Sequence, residues 1–261
     1  MGFQEARRER GAYQVQVKAR TQIGPHVVRV TAQGESLGEL PQRGFDHWFR
    51  LFLPADGEDA ALEHVPDRFT TGPYLKFVAS GAAKRLTVRN YTIRHHRPAD
   101  GEIDIDFAVH SGGVASQWAQ NARSGDRFAL LDQGCGFDLP DDAGSLLLAG
   151  DETAQSAILG ILRDLPAEAG GLAVIEVPSQ EDAQSEVTAS DVELRHVFRK
   201  AGEAPGAAAL EQVRAWQFDR PAATSAYLAG ERNLVAQARR HLADAGVPKP
   251  NITFMSYWHS P

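Results

Sequence analysis

Three stretches of this chain carry residue types that together could hold a redox cofactor. The first is Arg89-Asn90-Tyr91-Thr92-Ile93-Arg94. It alternates as an extended strand would, so Arg89 and Tyr91 share a face and Thr92 turns to the other side or into a bend. The second, Asp104-Ile105-Asp106-Phe107-Ala108-Val109-His110, also alternates, with Ile103, Ile105, Phe107 and Val109 on one face. The third, Gly112-Gly113-Val114-Ala115-Ser116, opens a helix-like run through Trp118 and Ala119. An Arg fork donates paired, charge-assisted bonds to phosphate, and a tyrosine ring stacks on a flat heterocycle. Glycines before a helix let backbone N–H groups approach a pyrophosphate. A threonine hydroxyl suits a ring nitrogen that takes hydride. The combination reads as a flavin site. Taken separately, the same residues also suit an ordinary amphipathic strand and a plain strand-to-helix turn.

A second group lies further on. Gly150-Asp151-Glu152-Thr153 follows an apolar run and precedes a helical pattern, and Tyr227-Leu228-Ala229-Gly230-Glu231 repeats the arrangement. In open α/β sheets, ligands bind where strands end and helices begin. Asp151 also reads as a simple helix N-cap. The Gly-x-Gly-x-x-Gly and Gly-x-Ser-x-Gly fingerprints are absent, which argues against a standard dinucleotide Rossmann site and an α/β-hydrolase. The nine histidines show no metal-ligand spacing, and His95-His96 reads as a loop pair. The single cysteine, Cys135 in a Gly-Cys-Gly turn, allows no intrachain disulfide and no iron–sulfur cluster. No metal site is expected.

These residues need elements to position them. Strands are predicted at Tyr13–Val17, His26–Thr31, His47–Leu53, Leu86–Arg94, Glu102–His110 and Arg127–Leu131, with a short helix at Ala115–Ala122. Gly24-Pro25 and Asp100-Gly101 mark turns, and residues 54–84 read as a long connection. The pattern then changes after Asp141-Asp142-Ala143-Gly144. Apolar strands at Ser145–Gly150, Leu172–Val177, Val192–Phe198, Ser225–Gly230 and Ile252–Trp258 alternate with helices at Thr153–Leu165, Ala207–Trp216 and Arg232–Ala245. The expected architecture has two domains. Residues 1–141 form a six-stranded antiparallel β-barrel, and 142–261 a nucleotide-type α/β parallel-sheet domain.

Bulk properties are those of an ordinary globular protein: 43% hydrophobic and 23% charged residues, with a net charge of -7. The acidic balance argues against nucleic-acid or anionic-membrane binding. Residues 1–10 are charged and unpatterned, with no apolar segment of a signal peptide, and no run approaches a membrane span. A cytoplasmic location is the expectation.

The motifs resemble the siderophore-interacting proteins, FAD-containing ferric-siderophore reductases of the ferredoxin–NADP reductase superfamily. Arg89-x-Tyr-Thr-x-Arg94, Asp106-Phe-x-Val-His110, Gly113-x-Ala-Ser-x-Trp-Ala119, Gly150-Asp-Glu-Thr-Ala154, Gly230-Glu231 and Tyr257-Trp258 occur in that family's order. The resemblance implies FAD for the barrel and NAD(P)H for the α/β domain. It implies that Arg89, Tyr91, Thr92 and Ile93 hold the flavin and that Asp106, Phe107, Val109 and His110 line it. It further implies that Gly113, Val114, Ala115 and Ser116 bind the pyrophosphate. Asp151, Glu152 and Thr153 would then face the nicotinamide, with Gly230 and Glu231 bordering the same cleft. Thr92 and Thr153 are the catalytic candidates. The chain departs from the pattern at Val114 and Ser156, where the family has proline, and at His259-Ser260-Pro261, where Arg-x-Gly is usual.

The implied reaction passes hydride from NAD(P)H to FAD and single electrons to a ferric siderophore, releasing ferrous iron. Lys76, Lys84, Arg94 and Lys249 are the candidates for a basic rim toward an anionic chelate. After Leu172–Val177 the chain runs Pro-Ser-Gln-Glu-Asp, with no cation for a 2′-phosphate; this favours NADH, unless Arg199-Lys200 folds back there. Two alternatives stand beside this reading. One is a flavin reductase that passes electrons to free flavin or to a separate protein such as a ferredoxin. The other is a non-catalytic siderophore- or flavin-binding module.

Overall fold

The structure is a computed structural model of the chain. It describes residues 11–55, 58–68, 70–110, 112–140, 144–217 and 219–260, with residue 74 described by its backbone. The charged segment 1–10, the predicted break at Asp141-Asp142-Ala143 and Pro261 lie outside them. Among the described residues no helix is long and apolar enough to cross a membrane. Contacts divide the chain into two compact units. One holds residues through 43 together with 47–134, and the other holds 44–46 together with the chain from 135 onward.

The first unit is built from β1 (Tyr13–Gly24), β2 (Val27–Gln33), β3 (Trp48–Pro54), α1 (Thr71–Ala79), β4 (Leu86–Thr92), β5 (His95–Arg97), β6 (Glu102–Ala108), α2 (Val114–Asn121) and β7 (Arg127–Gly134). Its antiparallel sheet has the order β4-β3-β7-β1-β2-β6-β5. Seven strands stand where six are expected, because Leu86–Arg94 is not one strand. Ile93 drops into the core with its N–H on His47 O, and the Arg94 N–H crosses to Asp104 O. The chain thereby leaves β3, the partner of β4, and joins β6, the partner of β5. The two edge strands of the sheet, β4 and β5, are consecutive in sequence and joined through Ile93 and Arg94. One face of each long strand feeds a single core: Val15 and Val17, Val28 and Val30, Phe49 and Leu51, Ile103, Ile105 and Phe107, Phe128 and Leu130.

Two further expectations change. His95 and His96 are in a strand, not a loop; His95 Nδ1 lies 3.2 Å from Asp104 Oδ2, and His96 Nε2 2.9 Å from Leu37 O. Residues 54–84 are not a bare connection, since α1 forms there. Gly72-Pro73 reads as a breaker, yet proline is tolerated in a first helical turn, where no intrahelical N–H bond is lost.

The second unit contains β8 (Ser145–Gly150), α3 (Gln155–Asp164), β9 (Gly170–Val177), β10 (Asp191–Phe198), α4 (Ala207–Ala215), β11 (Thr224–Glu231), α5 (Arg232–Asp244) and β12 (Ile252–Trp258). All five strands run parallel in the order β10-β9-β8-β11-β12. The continuous apolar strands follow from burial on both faces. Leu146 and Leu148 face α3 in one cluster, while Leu147 and Ala149 face α4 and α5 in the other. Each buried leucine contributes about 2 kcal/mol of burial free energy. The strand order reverses between β8 and β11, placing a topological switch point at their carboxyl ends. Residues 44–46 also belong to this unit. The Asp46 carboxylate accepts the N–H groups of Gly136 and Phe137, and the Phe45 ring packs 5.4 Å from that of Phe137.

Candidate functional site

Each unit carries its own half of the candidate machinery. In the first, β4 pairs with β3 so that Phe49 opposes Tyr91 and Leu51 opposes Arg89. Arg89 is exposed, and its Nη1 donates to Val88 O at 2.8 Å. The Tyr91 ring sits 4.4 Å from Phe107, Phe107 lies 5.8 Å from Trp118, and Trp118 meets Phe128 edge-on at 5.4 Å. This aromatic row joins β4, β6, α2 and β7. Burial pushes the Tyr91 phenol well above its ordinary pKa despite the Arg89 charge, so the ring acts as a neutral aromatic surface. Thr92, the last residue of β4, is buried.

Gly112 has φ +85, and a Cβ there would meet nothing within 4 Å. A Cβ on Gly113 would come 2.4 Å from His110 Cε1, so the glycine leaves room for the imidazole. Gly113 is the N-cap of α2 but makes no side-chain cap bond, and the first turn holds no acidic residue. The N–H groups of that turn have no intrahelical acceptor. With the cation of Arg89 on β4, which α2 contacts, they form a donor set that fits a pyrophosphate. The residues present therefore fit FAD.

Several predicted ligands are spent otherwise. Ile93 and Phe107 are core. Asp106 is gripped by Arg29, whose Nε and Nη2 donate at 2.6 and 2.8 Å, so it locks β2 to β6. The Ser116 hydroxyl donates to His110 O and accepts from His110 N, both at 3.1 Å; it closes the loop and is not poised for phosphate. Val109 is partly buried, with its N–H on His26 O. Val114, at the first position of α2, is half-exposed and has an N–H that a proline would lack. Ala115 is buried.

The rim candidates also separate. Arg94 is only 3% exposed and cannot be a surface cation. Lys76 and Lys84 are exposed, and Lys76 lines a cleft of about 640 Å³ with His64, Asp67 and Arg68. Lys249 precedes β12, at the amino-terminal edge of the parallel sheet, the wrong end for a ligand.

In the second unit, Gly150 and Ala229 are register partners, so Asp151 emerges opposite Gly230, beside the start of Glu231, at the switch point. Asp151 is fully buried. Its carboxylate accepts Thr153 N at 2.9 Å, Thr153 Oγ1 at 2.5 Å, Glu231 N at 2.6 Å and Trp258 Nε1 at 2.9 Å. It is not the N-cap of α3, which starts two residues beyond the predicted Thr153, at Gln155. Burial raises its pKa against those four donors. Glu231 is the true cap: its carboxylate accepts the Asn233 and Leu234 N–H groups of α5. Gly230 sits at φ +118, and a Cβ there would lie 2.7 Å from the Asp151 carboxylate.

Glu152 accepts from Arg199 Nη2 at 2.5 Å and Nη1 at 3.3 Å, while Arg199 Nε donates to Glu176 Oε1 at 2.7 Å. Burial and the neighbouring Asp151 charge raise the Glu152 pKa, and Arg199 opposes them. Glu176 caps α4, accepting Gly206 N at 2.7 Å and Ala208 N at 2.9 Å. At the divergent carboxyl end, Tyr257 Oη lies 3.0 Å from Tyr227 Oη, and Ser260 N donates to Glu231. The sequence reading missed Trp258 as a partner of Asp151, and Glu176 altogether. Paired acids and cations at separated strand ends give no local signal.

Known proteins add a name for this arrangement. Residues 16–135 match the profile of the siderophore-interacting FAD-binding domain, and 143–261 match that of the siderophore-interacting protein. The chain belongs to the siderophore-interacting protein family. An uncharacterized protein of Mycobacterium tuberculosis is 35% identical over 187 residues, which are 70% of this chain and 64% of that protein. The chain thus spans less than two thirds of that relative's length. The ferric vibriobactin reductase ViuB of Vibrio cholerae is 28% identical over 240 residues, 90% of this chain and 85% of that protein. Among solved structures, the siderophore-interacting protein SipS from Aeromonas hydrophila superposes with a TM-score of 0.75 at 26% identity, covering 96% of this chain and 99% of that one. As a siderophore-interacting protein the chain has FAD as its cofactor, and its amino-terminal unit is the FAD-binding domain.

Proposed function

We propose that this chain is a flavoprotein reductase that takes electrons from NAD(P)H and reduces a ferric siderophore. The observation that carries the reading is the uncapped, acid-free amino end of α2, set with exposed Arg89 and the Tyr91 ring in a siderophore-interacting FAD-binding domain. Bound FAD supplies the exchange between a two-electron hydride donor and one-electron acceptors. One hydride accounts for two ferric ions, each gaining one electron, with one proton left to solvent.

The protein's part is positioning. Arg89 and the first-turn N–H groups of α2 neutralise the pyrophosphate, and Tyr91 offers its face to the ring. Thr92 is the hydroxyl for the flavin edge. Asp151 holds Thr153, the Glu231 N–H and Trp258 in one arrangement, so the nicotinamide meets a rigid strand end. Thr153 acts through that arrangement, since its hydroxyl is engaged by Asp151. Lys76 and Lys84 remain as cations for an anionic chelate. Ferrous iron is held less firmly by hard oxygen ligands, so reduction releases it.

The test is anaerobic. The purified protein should be yellow, and NADH or NADPH should bleach the flavin. Ferric chelate should restore the colour while a ferrous-specific chelator traps the product. A reduced flavin that no ferric chelate reoxidises would overturn the reading.

A further inference from the structure

We infer that the carboxyl edge of β9 and β10 selects NADH over NADPH. The inference rests on the proposed pyridine-nucleotide role of the α/β unit. In doubly wound sheets the adenosine ribose lies past the end of the second strand. An acid there suits the 2′-hydroxyl, and a nearby arginine accommodates a 2′-phosphate. The second strand here is β9, ending at Val177, and Phe198 of β10 is its register partner. Arg199 directly follows, with its N–H on Val177 O, so it does reach this edge. It arrives fully engaged. Its guanidinium forks onto Glu152 and reaches back to Glu176, and its side chain is only 18% exposed. Both acids are themselves buried, with side-chain exposures of 12% and 0%. Taking up a phosphate would draw the cation from the partly buried Glu152 and remove one of the donors on Glu176, the cap of α4.

Among the described residues of this edge, the cation next in sequence is Lys200. Lys200 is exposed, but its Nζ lies 3.5 Å from Glu203. In the loop after β9, Ser179 Oγ donates to Asp182 at 2.8 Å, and Glu181 is an exposed acid. A 2′-phosphate, carrying about -1.5 to -2 charges at neutral pH, would enter a field of carboxylates. A ribose hydroxyl would find acceptors instead.

The experiment compares both donors on the FAD-loaded protein and, separately, 5′-AMP with 2′,5′-ADP by calorimetry. Flavin reduction should favour NADH by at least about tenfold in kcat/KM, or 1.4 kcal/mol. 5′-AMP should bind more tightly than 2′,5′-ADP. Glu181→Arg places a cation on the exposed loop, away from every bond described here, and should cut the NADH:NADPH ratio about tenfold. Equal or better use of NADPH, tighter binding of 2′,5′-ADP, or an unchanged ratio in E181R would overturn the inference. Binding of 5′-AMP with no bleaching by either donor would sink the reductase reading and leave the nucleotide preference standing. Failure of both nucleotides to bind would remove both.

Discussion

The two units present charge in opposite ways. On the barrel, the cation Arg89 is exposed and α2 begins without a cap or a first-turn acid. At the α/β edge, Asp151, Glu176 and Glu231 are each at most 1% exposed, and each is bonded to several donors of its own unit. The first site leaves its donors for a ligand. The second spends its acids on holding strand ends and helix starts together. A permanently bound anionic cofactor suits the first, since among the described residues no acid pairs with Arg89 and no side chain caps α2. A donor that comes and goes suits the second, whose shape survives without it.

Substitutions can break this contrast. The largest effect is expected from Gly230→Ala on the filled side. A Cβ at φ +118, 2.7 Å from the Asp151 carboxylate, combines backbone strain with overpacking. It should cost about 3 kcal/mol or more, read by denaturant unfolding. Arg89→Ala, on the open side, should leave unfolding of the FAD-free protein unchanged within ~0.5 kcal/mol. It should weaken FAD binding by about 2 kcal/mol, roughly thirtyfold, in a flavin fluorescence titration. An equal loss of stability in the FAD-free protein would show that Arg89 is structural and erase the contrast.

A pH scan sharpens it within the barrel. Asp132 is buried, which pushes its carboxyl up, but His47 at 2.9 Å, Arg43 and the Gly134 N–H outweigh burial and bring it from 3.8 down to about 2. The unfolded chain binds this proton first as pH falls. The contribution is therefore present above pH 3.8 and disappears as pH drops to about 2. It amounts to about 2 kcal/mol, and Asp132→Asn should flatten that part of the stability curve. The smallest effect is expected at Gly112→Ala. Its φ of +85 carries strain of about 1 kcal/mol, and open space means no clash. A cost as large as that at Gly230 would mean the α2 entrance is not open.

Much of the barrel was readable because it depends on local periodicity. The alternation at 103, 105 and 107 and the glycines before α2 predict a strand and a helix start, and both form. The seventh strand was hidden because Leu86–Arg94 keeps an extended-strand alternation with no glycine or proline, and only the switch of partner from β3 to β6 breaks it. Helix α1 was hidden because Gly72-Pro73 signals a turn until proline's place in the first turn is known. The candidate ligands were readable by type but not by use. Nothing local says that Asp106 belongs to Arg29, Ser116 to His110, or Arg94 to the interior.

What the sequence determined by itself was therefore the alternation of strands and helices, the change from a barrel pattern to an α/β pattern, and the motifs that place the chain in its family. Those follow from spacing along the backbone, which sets faces and turns without reference to distant residues. Only the tertiary structure decided which charges are spent and which remain. Arg199 meets Glu152 and Glu176 across 47 and 23 positions of chain, and Trp258 meets Asp151 across 107. The strength of a charge as a ligand depends on burial and on its neighbours in space, and neither is written in spacing.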